Sequence, residues 1–235
     1  MVFASPNKNK DMKASKFTRN LTSLVLFMLF SFSTLQAQYG TGWELKRDRG
    51  GVKVYVRESP HSKIKELRFT STIDASLNAI AYLLTNVEGF DDWVYASVKS
   101  ETIRKISDQE IYYYTEMDFP WPFSNRDLVL YSKFWQDPHT LAIHSQTTSA
   151  HWLMPEKEDL VRITLADLRW TFTPIGNGKV RVDYYMKSDP GGHIPAWLVN
   201  LAADQGPLQT MALLRKELSK EKYKYTKLAF VQEPR

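Results

Sequence analysis

Side chains able to do chemistry are few and scattered in this 235-residue chain. It has no cysteine, which removes disulfides, thiolate catalysis, iron–sulfur clusters, the common zinc modules and a lipidated N-terminal cysteine. The five histidines, His61, His139, His144, His151 and His193, form no His-Glu-x-x-His pair and no cluster at metal-ligand spacing. No metal or cofactor is therefore expected. Ser149 lies near His144 and His151, as a hydrolase would require. No Gly-x-Ser-x-Gly elbow accompanies it, however, and the histidines read as strand or rim residues. Gly50-Gly51 and Gly191-Gly192 read as turns, not as loops that cradle phosphates.

The densest functional stretch runs from Tyr112 to Asp127. On a strand, Tyr112, Tyr114 and Glu116 point one way, and Ile111, Tyr113, Thr115 and Met117 the other. Both faces are largely aromatic or apolar, so both are expected to be covered. If Glu116 faces inward it needs a partner or a raised pKa, because a lone carboxylate in an apolar interior is costly. Its other reading is a surface glutamate beside aromatic neighbours, and spacing does not decide between them.

The elements that must position these residues are mostly strands. Trp43–Asp48 and Val52–Arg57 form a hairpin about Gly50-Gly51, and Ile64–Ile73 gives a third strand. Asp74 is placed to cap a short helix in which Leu77, Ile80, Ala81 and Leu84 share a face. Further strands are expected at about 98–106, 110–119, 127–135, 140–152, 160–173 and 180–187, with Gly176-Asn177-Gly178 turning the last pair. From Pro195 the chain turns helical, with an apolar stripe through Trp197, Leu201, Leu208, Met211, Leu214 and Leu218, interrupted at Gly206-Pro207. The residues after Lys220 read as a solvated tail. The fold class is α+β: a curled antiparallel sheet of about seven to nine strands, closed by one long C-terminal helix.

Charge is concentrated at the N-terminus. Residues 1–37 hold five basic side chains and one acidic one, followed by an uncharged run from Leu21 to Leu35 and by Ala37. This is the pattern of a secretory signal peptide. The run is shorter than the roughly 20 apolar residues of a spanning helix, the alternative reading being an uncleaved anchor. Cleavage after Ala37 leaves 38–235 as one exported domain, periplasmic or secreted, with 26 basic and 25 acidic residues. Such a balance argues against a nucleic-acid partner.

Pro122-Phe-Ser-Asn-Arg-Asp127 and Asp189-Pro-Gly-Gly-His-Ile-Pro-Ala-Trp-Leu-Val-Asn200 resemble motifs of the START lipid-transfer domain, most closely its phosphatidylcholine transfer group. The resemblance covers about 43–218. It implies a helix-grip fold whose hydrophobic tunnel takes one lipid or sterol-like ligand. The lipid-binding set expected is Tyr112, Tyr114, Glu116, Leu130, Ser132, Trp197, Leu201 and Met211. Glu116 would be the acidic tunnel residue, and Trp197, Leu201 and Met211 would line the roof. Arg126 and Asp127 match the family's Arg-Asp pair, expected as an architectural ion pair or turn contact. Two departures leave the ligand open: Ser132 stands where sterol binders place an arginine, and Phe90 and Val94 stand where phosphatidylcholine binders place an arginine and an aspartate.

The function expected is capture of one hydrophobic ligand by a monomeric carrier in transient contact with membranes, with Gly206-Pro207 as hinge. The alternatives are an enzyme acting on an enclosed substrate, with Glu116 or His144 as acid–base, and an envelope scaffold with a filled core.

Overall fold

The computed structural model describes residues 42–234; the expected signal peptide, 1–37, lies outside them. Residues from Trp43 onward form one unit built on strands β1 (Glu44–Arg49), β2 (Val52–Ser59) and β3 (Ser62–Asp74), then helix α1 (Leu77–Thr85). A 3-10 turn at Val87–Asp92 leads to β4 (Ser97–Ser107), β5 (Glu110–Met117), β6 (Arg126–Gln136) and β7 (Ile143–Ser149). After a 3-10 turn at His151–Leu153 come β8 (Val161–Arg162), β9 (Leu165–Pro174) and β10 (Lys179–Asp189). Helices α2 (Ala196–Ala202) and α3 (Gln205–Leu218) follow, with a last 3-10 turn at Glu221–Tyr223.

The strand order is β1-β2-β3-β10-β9-β7-β6-β5-β4, antiparallel throughout, with β8 added in parallel to β6. Arg49 faces Val52 across Gly50-Gly51, both at positive φ, as a two-residue hairpin requires. The expected strand 160–173 is two strands, because Arg162 in β8 turns aside to meet Asp127 while β9 restarts at Leu165.

Register decides which side chains face the concavity, since residues directly opposite in antiparallel strands share a face. Val54, Phe69, Tyr184 and Trp170 follow one another across β2, β3, β10 and β9. Continuing through Ser145, Phe134, Thr147 and Ser132 to Ile111, the same face reaches β5. At the end of the sheet bearing Ile73, Val180, Phe172 and Ile143 the concavity is filled by Leu77, Ile80 and Leu83 of α1 and by Met211 and Leu214 of α3. Burying each of these side chains contributes roughly 1.5–3 kcal/mol.

Local signals place the helices differently from expectation in three respects. Ser76, not Asp74, caps α1, its Oγ accepting from the Ala79 amide at 3.1 Å, while Asp74 pairs with Lys179 on the surface. The expected long C-terminal helix is two helices. The break falls at Ala203-Asp204, where Asp204 is buried and takes Arg47 Nε at 2.7 Å, and Gly206-Pro207 occupy the first turn of α3, where proline's missing N–H costs no bond. The tail is not solvated. Tyr223, Leu228, Phe230 and Val231 pack on the core, and Glu233 accepts from the backbone amides of Leu77 and Asn78.

Candidate functional site

β5 and β6 present the expected site residues, and register divides them. Leu130 and Ser132 share the concave face with Tyr113, and Met211, on α3, is fully buried in the core. Tyr112, Tyr114 and Glu116 lie on the convex face, a correction to the expected tunnel set: they alternate with Tyr113 and pair across to Tyr131, Val129 and Asp127. Their aromatic character is explained by the segment that covers them, since Tyr114 packs with Val129, Ala150 and Met154. Glu116 accepts from the Tyr114 hydroxyl and from Lys157 Nζ, each at 2.8 Å. Lys157 and then Tyr114 hold its carboxyl below the usual range, so it is a surface anion, not an enclosed acid. His144 is also convex, stacked on Trp135 and 3.1 Å from Thr171 Oγ1. Neither proposed acid–base group therefore reaches the concave face. Among the described residues no group of three acidic or histidine side chains could hold a metal.

Trp197 and Leu201 do not roof the concavity. They belong to α2, which is moored to the sheet by Asn200 through the Lys65 amide and the Lys63 carbonyl, and they are 68% and 64% exposed. The Arg-Asp motif is architectural, but its two members take separate partners. Asp127 faces outward and meets Arg162 in a fully buried bidentate pair, Nε–Oδ1 2.8 Å and Nη2–Oδ2 2.9 Å. Arg162 also donates to the carbonyls of His151, Met154 and Pro155, which fastens the segment over Tyr114. Arg126 faces inward, donating to the carbonyls of Ser124, Pro190 and Gly191 while its guanidinium lies 4.3 Å from the Phe119 ring centroid. Burial without a carboxylate lowers its pKa. The two sequence motifs thus meet through one side chain. Gly192, at φ +66°, explains the glycine pair: a Cβ there would stand 3.3 Å from Arg126 Nη2.

The candidate site is the other half of the concavity. Leu168, Trp170, Tyr184 and Met186 keep accessible surface there, although they lie inside the curl of the sheet. Burial nevertheless raises the pKa of both Tyr184 and Tyr113, and the Tyr113 phenol on β5 adds to the rise at Tyr184 on β10, with three strands between them in the sheet. The wall is aromatic. Trp170 contacts Tyr184 at 4.3 Å and Trp93 at 6.1 Å between ring centroids, and Phe90 packs edge-on against both Trp93 and Tyr113. Between them lies a row of hydroxyls: Tyr113 neighbours Thr147, which donates to Ser132 Oγ at 2.9 Å, and Ser145 lies 3.5 Å beyond. Sequence reading missed Tyr113, Trp93, Trp170 and Tyr184. Alternation on β5 already offered Tyr113; the other three lie on elements that only the completed sheet brings together.

Comparison with known proteins agrees with this architecture. The START domain family model matches residues 33–222. An uncharacterized protein of Pseudomonas aeruginosa is 29% identical over 76% of this chain and 87% of its own length. The mouse phosphatidylcholine transfer protein is 28% identical over 71% of this chain and 79% of its own. The crystal structure of a STAR-related lipid transfer protein fragment from Xanthomonas axonopodis superposes with a TM-score of 0.71 at 32% identity, covering 76% of this chain and 99% of that one. With the helix-grip sheet, the joined motifs and a family match over most of its length, the chain belongs to the START domain family.

Proposed function

We propose that the domain holds one lipid, or another hydrophobic ligand of similar size, against the aromatic half of its concave face and carries it between membranes. The observation that carries this reading is an aromatic stretch of the concave face that the helices do not fully bury: Leu168, Trp170, Tyr184 and Met186 stay only partly buried although they lie inside the curl of the sheet. Transfer of apolar groups from water gains about 0.8 kcal/mol per methylene, so a chain of a dozen carbons gains roughly 10 kcal/mol before the cost of association. Family membership and the lipid-transfer names of the mouse and Xanthomonas relatives support the same ligand class.

Exchange at a membrane is supported by the end of the sheet where β5, β7 and β10 finish. The connections there carry Trp121, Trp152 and Trp197 at 92%, 70% and 68% exposure, together with Leu201. Indole rings favour the membrane–water interface, and large apolar groups left in solvent mark contact surfaces. Export follows from our reading of residues 1–37 as a signal; intact mass of the protein recovered from fractionated cells would begin at Gln38, and an intact leader would refute it.

Native mass spectrometry after exposure to a total lipid extract tests binding: one lipid mass per chain is expected, and a protein that stays at its bare mass refutes the reading. In a vesicle-to-vesicle assay, Trp197→Ser with Leu201→Ser should slow transfer severalfold while leaving the bound mass unchanged.

A further inference from the structure

Across β5, β6, β7, β9 and β10 the concave face carries one charged side chain among the described residues, Arg126, and three carbonyls already engage its guanidinium. The other polar groups on that face are neutral. Thr147, Ser132 and Ser145 bond one another in a row beside Tyr113. Two donors stand beside Trp170. The Tyr184 hydroxyl has no hydrogen-bond partner among the described residues, and Trp93 Nε1 is a buried donor without an acceptor. Both belong to rings packed on Trp170, at 4.3 Å and 6.1 Å between centroids. A buried donor left unpaired is costly, so Trp93 Nε1, with the unpaired Tyr184 hydroxyl on a ring packed against the same Trp170, marks a place that an acceptor would fill.

We infer that the ligand brings an uncharged oxygen acceptor, an ester carbonyl or a hydroxyl, to Trp170, where the Tyr184 hydroxyl and the Trp93 indole N–H receive it. This rests on the cavity reading above and narrows it to ligands whose buried polar group is neutral. A carboxylate or phosphate would lie in the same place without a counter-charge from those five strands, because Arg126, their one inward guanidinium among the described residues, is committed elsewhere. The row of hydroxyls beside it offers dipoles alone, which suit a carbonyl better than an ion.

The test uses the protein from residue 38 onward and three probes with one alkyl chain length, methyl laurate, laurate and dodecane, delivered from cyclodextrin. The wild type should bind methyl laurate about tenfold more tightly than dodecane, the size of one neutral hydrogen bond, and laurate more weakly than the ester. Tyr184→Phe should bind dodecane as the wild type does and lose the ester preference. In spectra of ¹⁵N-indole-labelled protein, the signal absent from Trp93→Phe should move downfield with methyl laurate and stay in place with dodecane. An ester preference that survives Tyr184→Phe, an unmoved Trp93 signal, or laurate bound as tightly as the ester would each overturn the inference. If dodecane binds and these follow, the cavity reading stands without it; if no probe binds, the cavity reading fails first.

Discussion

Asp127 has two arginines to choose from, and the structure gives it to Arg162. Asp127→Asn keeps the shape but leaves a guanidinium with no counter-charge in a site from which water is excluded. Removing one partner of a buried pair costs about 3–5 kcal/mol. In a domain of this size each kcal/mol lowers the melting temperature by about 2–4 °C, so a fall of roughly 10 °C is expected. Arg162→Met should cost more, because the carbonyls of His151, Met154 and Pro155 lose their donor as well. In urea unfolding, the Asp127→Asn/Arg162→Met double variant should lose about 2–3 kcal/mol less than the sum of the singles, as for residues in direct contact. The Asp127→Asn/Arg126→Met cycle should be additive to about 0.5 kcal/mol, because those side chains leave β6 on opposite faces. Coupling to Arg126 that exceeds coupling to Arg162 would refute the assignment. So would an Asp127→Asn protein as stable as the wild type.

Three other outcomes follow from single contacts. Burial pushes the Glu217 carboxyl up, but bonds from Lys220, Lys222 and Tyr223 outweigh it and bring the pKa down to about 2. Its stabilisation is therefore complete above the unfolded value of about 4.3 and is lost as pH falls toward 2, so melting curves of Glu217→Gln should depend less on pH across that window. Ser76→Ala should destabilise by about 1 kcal/mol in urea unfolding and Asp74→Asn by almost nothing; the reverse order would restore Asp74 as the cap. Gly192→Ala should lower the melting temperature by several degrees, since its φ of +66° and the nearby Arg126 Nη2 both oppose a side chain, whereas Gly176→Ala at φ +85° meets backbone strain alone.

Hairpins were legible because their signals are local. Gly50-Gly51 and Asn177-Gly178 hold the positive φ that the turns need, and the flanking alternation set the strands. The apolar stripe of the C-terminal region correctly placed Met211 and Leu214, but not the break before it, which depends on Arg47 reaching Asp204 from β1. On β5 the two faces looked alike in sequence because both are covered, one by the concavity and one by the segment that Arg162 fastens down. Parity alone could not choose between Tyr113 and Tyr114; the register to Leu130 and onward to Ser149 did. Arg162 itself was invisible as a partner, lying 35 residues from Asp127 within what read as one continuous strand.

The joint between β3 and β10 has a consequence for synthesis. Asp74 and Lys179 sit side by side in the sheet but 105 residues apart in the chain, and at about 5–20 residues per second the second is made roughly 5–20 s after the first. Until then β1, β2 and β3 have no neighbour on which to complete the core, and Leu67 and Phe69 stay unburied. The non-local pairing also slows the search once the chain is complete. The nascent chain therefore carries the apolar face of its first three strands unpaired until β10 has been made.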